Sequence, residues 1–238
     1  MMNLRRAATA LLIPAAALLI SPVSSLAQSK PADLNAVLHE MDQASARFKS
    51  AEADFRWDIY ERVVKETTTQ TGSIYFIKKG SDLRMGAQFK PPTAKVVEYK
   101  NGVLQLFDPG ADHLTVMKAG NNQAQAENFL TLGFGGSGSD LSKAWTITDL
   151  GTEQINDGSK MVTTTKLDLV SKDPNMRNTF THIILWVDPA RAISLKQQFF
   201  MPSEDQRTTY FTNIRYNQSV NTRPFAIKTD KSTTVDRR

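Results

Sequence analysis

Between residues 33 and 50 the apolar positions Leu34, Val37, Leu38, Met41 and Phe48 fall on one stripe at helical spacing, while Asn35, Gln43 and Lys49 fall elsewhere on the wheel. This pattern predicts an amphipathic helix, with Pro31 just ahead as a start signal. From Ala53 the period drops to two: Phe55, Trp57 and Ile59 alternate with Asp54, Arg56 and Asp58. Such alternation marks a half-buried antiparallel strand.

The same period predicts strands over 72–77, 82–89, 95–99, 103–107 and 113–118. Asn101-Gly102 predicts a tight hairpin, because both central positions of a type I′ turn need positive φ. Residues 123–132 break the alternation with good helix formers, and Ala126, Phe129 and Leu130 lie on one side. Strands resume over 145–150, 161–170, 181–187, 193–201 and 208–216, with turns at Asn156-Asp157-Gly158, Asp188-Pro189 and Ser203-Glu204-Asp205 and a further turn near Asn175. No βαβ alternation occurs, so the expected fold is mainly β. It is a strongly curved antiparallel sheet of about ten to eleven strands, an unclosed β-barrel with an N-terminal helix and a central helix as its lid.

The first 27 residues stand apart. Arg5 and Arg6 precede an apolar run from Ala7 to Ile20, and Ser25-Leu26-Ala27 gives a small-x-small cleavage signature. This is the pattern of a secretory signal peptide, shorter than the ~20 residues of a membrane span and broken by Pro14. Residues 28–238 are then a single exported domain, expected in the periplasm. With Arg5 and Arg6 removed, the net charge falls from +5 to +3. That mild, scattered charge carries no nucleic-acid footprint.

The 238 residues include no cysteine, which excludes thiol catalysis and thiolate metal sites. His39, His113 and His182 lie far apart, so no metal or other cofactor is expected. Gly133, Gly135 and Gly138 in "LTLGFGGSG" match G-x-G-x-x-G, but they follow a predicted helix and lead into a strand. A dinucleotide turn needs the reverse order, and no Gly-Lys-Ser/Thr follows to make a P-loop. The run reads instead as a flexible helix-to-strand connector, with the hinge of a mobile lid as a second reading. No G-x-S-x-G elbow is present, so no enzymatic activity is expected.

The strands carry many large apolar residues at alternating positions: Phe55, Trp57, Ile59, Tyr75, Ile77, Leu83, Met85, Leu104, Leu106, Leu167, Leu169, Ile184 and Trp186. In a small closed barrel they fill the core. In a wide, unclosed one they line an apolar cavity for a lipid or acyl chain, with Leu38, Met41, Phe129 and Leu130 on the lid helices above it.

Five strings in order resemble the LolA-type periplasmic carriers: Phe48 to Phe55 after the first helix, "GSIYFIKK" at Gly72 to Lys79, Asn101-Gly102 through Asp108-Pro109, "DQRTTY" at Asp205 to Tyr210, and Phe225-Ala226-Ile227-Lys228 to Val235-Asp236. The resemblance spans most of the mature chain. It implies an unclosed barrel with a helical lid. It further implies a monomeric chaperone of outer-membrane biogenesis that shields the acyl chains of lipoproteins. An inner-membrane lipoprotein-releasing transporter would load it and an outer-membrane receptor unload it. The family's lid-latching Arg-Pro reads Lys79-Gly80 here, and lysine offers a point charge in place of a planar fork. Arg84, a few residues on, is the second latch candidate. A lipid- or lipoprotein-sensing regulatory module on the same fold is the alternative function.

Overall fold

The computed structural model describes residues 33–80, 82–120 and 123–238. Pro31, the leader at 1–27 and the side chains of residues 124 and 125 fall outside the described part. Helix α1 (Leu34–Arg47) is capped by Asp33, whose side chain accepts from the Asn35 N–H, and buries Val37, Met41, Ala44 and Ser45. Ahead of the expected end the chain turns at Phe48, and β1 (Ser50–Glu61) begins.

There follow β2 (Glu66–Lys79), β3 (Asp82–Phe89), β4 (Lys95–Lys100), β5 (Val103–Asp108) and β6 (His113–Lys118). Next come helices α2 (Gln123–Leu130) and α3 (Gly138–Ala144), then β7 (Trp145–Asn156) and β8 (Met161–Ser171). After α4 (Pro174–Thr179) come β9 (His182–Asp188), β10 (Ile193–Phe200), β11 (Gln206–Tyr216), a 3-10 turn at Arg223–Phe225 and β12 (Thr234–Arg237).

All twelve strands form one sheet in the order β12-β6-β5-β4-β3-β2-β1-β11-β10-β9-β8-β7. Its two edges do not pair, so the barrel is unclosed, as the alternation predicts. The Asn101-Gly102 hairpin is also as expected: Lys100 pairs with Val103, and the two turn residues have φ of 53° and 72°. Three elements differ from the sequence reading. A second central helix, α3, follows the glycines; residues near Asn175 form the short helix α4; and the tail adds β12, which pairs with β6 in parallel.

Register breaks bend the sheet, because a bulge adds local twist and curvature. They fall at Glu52/Asp54 in β1, Ser194/Lys196 in β10 and Asp149/Thr152 in β7, the last at Gly151 with φ of 90°. Beyond it the β7–β8 hairpin folds back, so that Ile155 and Val162 pack on the core beside β1 and β11. Its tip is pinned to β11, where the Asn213 N–H donates to the Asp157 carbonyl at 2.8 Å. The core forms two apolar clusters on the inner face. One runs from β1 to β5 with Phe134 and Phe211, and the other joins α1 and α3 to β8 and β9.

Candidate functional site

Strand parity sorts the apolar residues. Ala51 faces Phe76, Phe76 faces Met85, Met85 faces Tyr99 and Tyr99 faces Leu104 across successive strands, and all point inward. The structure brings Phe55, Trp57, Leu83, Met85, Leu104, Leu167 and Leu169 into the two inner clusters. Ile59 and Leu106 share their face, in register with the inward positions of neighbouring strands.

Four residues lie on the other side, which corrects the parity read from the sequence. Tyr75 and Ile77 alternate with the inward Ile74 and Phe76, so they point outward. Tyr75 is covered there by Phe225, with ring centroids 4.8 Å apart. Ile184 and Trp186 alternate with the inward Ile183 and Leu185. Trp186 is nonetheless buried, because Lys196 and Lys166 lie over its ring at 4.0 and 5.0 Å and its indole N–H donates to Glu153 at 2.6 Å. A large aromatic in an alternating strand can thus be covered on either face.

The glycine run departs furthest from expectation. It is a packed plug, not a flexible connector. Phe134 is buried between Phe76 and Phe211 and bridges to Ile193 as an isolated β-pair. The Ser194 N–H donates to the Gly133 carbonyl, and the Gly135 N–H to the Ala192 carbonyl at 2.8 Å. A Cβ on Gly135, which has φ of 71°, would overlap the Phe48 ring, and one on Gly138 would overlap the Leu38 backbone. The glycines are therefore needed for close approach. The signal available in the sequence is Ser137-Gly138-Ser139-Asp140, an S-x-x-D capping string. Ser137 does cap α3, accepting from the Asp140 N–H at 3.0 Å.

Polar bonds hold the helices over the inner face. Asp42 on α1 accepts from both the N–H and the hydroxyl of Ser139, at 2.9 and 2.7 Å. Ser45 donates to the Gly135 carbonyl at 2.7 Å, and the buried Gln197 amide donates to the Leu132 carbonyl at 2.6 Å. Of the expected lid residues, Met41 is buried, Leu38 and Phe129 pack on the second cluster and Leu130 on the first. Phe129 also stacks with Phe180 at 5.7 Å and meets Phe199 edge-on at 6.1 Å.

Neither candidate latch reaches these helices. Lys79 is exposed at the end of β2, and Arg84 points outward, paired with Asp82 at 3.1 Å. The cation beneath the helices is Lys78, one residue earlier, whose register partner Leu83 faces inward. It borders a cavity of about 260 Å³ between α1, α2, α3, the glycine run and the sheet. The walls include Met41, Leu83, Leu132, Leu141, Trp145 and Leu185. Glu127, also at this cavity, accepts from the Tyr99 hydroxyl at 2.8 Å. Burial, followed by that carboxylate bond, pushes the Tyr99 phenol well above its ordinary value. Among the described residues no three His, Cys, Asp or Glu side chains are grouped to hold a metal.

No protein-family model matches the chain, and no curated protein sequence matches it significantly. Similar solved structures exist. MucB superposes with a TM-score of 0.52 at 12% identity, covering 82% of this chain and 63% of MucB. An uncharacterized conserved protein from Thermus thermophilus gives 0.52 at 11% identity, covering 86% of this chain and 98% of its own. A LolA superfamily protein from Nitrosomonas europaea gives 0.39 at 11% identity, covering 82% and 97%. The fold is shared with MucB and the Thermus thermophilus protein. This chain spans less than two thirds of MucB's length, and at such identities the likeness is one of fold alone.

Proposed function

We propose that the protein is a periplasmic carrier that takes the acyl chains of lipoproteins onto the inner face of its half-barrel and moves them from the inner to the outer membrane. The observation that carries this reading is the apolar inner face, formed by two clusters, covered by helices and the glycine run that pack on it through Phe134, Met41 and Leu130 and polar bonds, and leaving a cavity beneath. At 260 Å³ the cavity is smaller than the ~300–1,000 Å³ of ordinary ligand sites. Loading several chains therefore requires α2, the glycine plug and α3 to move off the barrel.

Hydrophobic burial supplies the affinity, at about 0.8 kcal/mol per CH₂ transferred from water. Release needs a partner that favours the open form, since a ligand shifts an equilibrium only by its differential affinity. An inner-membrane transporter and an outer-membrane receptor would fill these roles. The reading is that of a binding protein, in which His39 bonds Gln43 and His182 packs against Phe200.

The test is native mass spectrometry of the mature protein purified from a periplasm, followed by transfer to acceptor vesicles. Co-purified acylated protein that moves to the vesicles supports the carrier. Bound lipid or lipoprotein that is never handed on favours the sensing module, and a persistently empty, folded protein overturns both.

A further inference from the structure

Lys78 stands apart from the other charges around the cavity. Its walls carry two carboxylates, and each is already engaged. Glu127 accepts from Tyr99 and from the Gln123 amide, both at 2.8 Å. Asp140 accepts from the Ser137 hydroxyl at 2.7 Å and from the Lys143 ammonium at 3.1 Å. None of the ion pairs among the described residues includes Lys78, although its charge helps hold the Asp140 carboxyl low. Lys78, a half-buried residue with no carboxylate in contact, therefore borders a cavity otherwise walled largely by apolar side chains.

An ammonium at the edge of an apolar cavity attracts an anion brought within reach. The apolar wall beside it favours an alkyl chain. The small volume admits one chain, where a lipoprotein carries several. We infer that the closed form binds a single-chain amphiphile with an anionic headgroup, its tail against Met41, Leu141, Trp145 and Leu185 and its carboxylate or phosphate at the Lys78 ammonium. The inference rests on the acyl-binding reading above and adds to it a headgroup preference and a ligand for the closed state. A free fatty acid and a single-chain phospholipid present the same chemistry to this site.

The experiment titrates decanoate, decyl phosphate and decanol into the mature protein, following tryptophan fluorescence and calorimetry, with Lys78→Gln, Lys78→Arg and the cavity-filling Ala144→Phe as variants. Expected is binding of one anionic amphiphile per chain, at least tenfold tighter than decanol. Lys78→Gln should remove that margin, Lys78→Arg should keep it, and Ala144→Phe should block all three ligands. A preference for decanoate over decyl phosphate points to fatty acids, and the reverse to phospholipids. Equal binding of decanol and the two anions overturns the headgroup assignment while leaving acyl binding intact. If none of the three binds, although the mass-spectrometric test finds lipoprotein cargo, the single-chain site is overturned and the carrier stands. If neither experiment finds a ligand, both readings fall.

Discussion

Phe134 lies nearly flat against Phe76, with ring centroids 4.4 Å apart and planes inclined by 14°. One ring comes from the glycine run and the other from the last part of β2, so this stack ties the helical cover to the barrel floor. Edge-on contact with Phe211 at 4.8 Å completes the anchor. Removing Phe134 empties a site that is 2% exposed. Phe134→Ala is expected to cost about 3–5 kcal/mol of stability, read by urea denaturation. An effect under about 1 kcal/mol would mean the segment is not seated in the core.

The glycines on either side of Phe134 predict a graded result. Gly135→Ala meets both a positive φ and the Phe48 ring, whereas Gly80→Ala, with φ of 61° in the β2–β3 turn, meets open space. Backbone strain alone costs about 1–3 kcal/mol, and overpacking adds a similar amount. Gly135→Ala should therefore lower the melting temperature clearly more than Gly80→Ala. Equal effects would restore the reading of the run as a slack linker.

The strands and the half-barrel were legible in the sequence because alternation is a local signal, and Asn101-Gly102 fixed one hairpin outright. Three features were not. Parity failed at Tyr75, Ile77, Ile184 and Trp186, since Phe225 and two lysines cover apolar groups on the outer face as well, and local alternation cannot say which side has the cover. The glycine run looked slack because close approach to Phe48 and Leu38 involves residues far away along the chain. Strand β12 was missed because its four residues are ordered by pairing with β6 rather than by their own pattern.

Asp157 predicts a pH dependence. Burial alone would raise its pKa, but bonds from the Ser159 hydroxyl, the Lys160 and Ser159 N–H groups and the Arg191 charge outweigh it and hold the pKa at about 2. A folded pKa below the unfolded value of about 3.9 gives stability that is fully present above pH ~4 and lost as pH falls toward 2. The amount is about 2 kcal/mol. Asp157→Asn should lose it at neutral pH and show a flatter stability profile below pH 4 in denaturant titrations. An unchanged acid limb would show that the Asp157 carboxylate does not hold the turn at the β7–β8 tip.

Asp42 joins α1 to α3 through two bonds from Ser139. Hydrogen bonds to a charged acceptor contribute about 1.5–3 kcal/mol each when shielded, and less at this partly exposed site. Asp42→Ala should raise amide exchange across residues 138–144 while β1 and β2 stay protected, because local openings draw on the weakest contacts first. If the cover must move for loading, acyl cargo should also enter faster in this variant. Faster exchange of α3 with an unaltered loading rate would locate the entrance elsewhere.

The assignment of faces gives the last test. Trp57 is half-buried and faces inward beside Phe89, with ring centroids 5.9 Å apart, while Ile77 is half-buried on the opposite face of the neighbouring strand. Neither belongs to the fully buried floor, so a charge at either should leave a folded protein, in contrast to Leu169, which is 0% exposed. A carboxylate placed where an alkyl chain must lie loses its water and opposes binding, whereas one on the outer face remains hydrated. Trp57→Glu is therefore expected to weaken acyl-protein binding at least tenfold, and Ile77→Glu to leave it within twofold, as measured by co-purified cargo. The reverse order would mean that cargo rides on the outer face of the sheet.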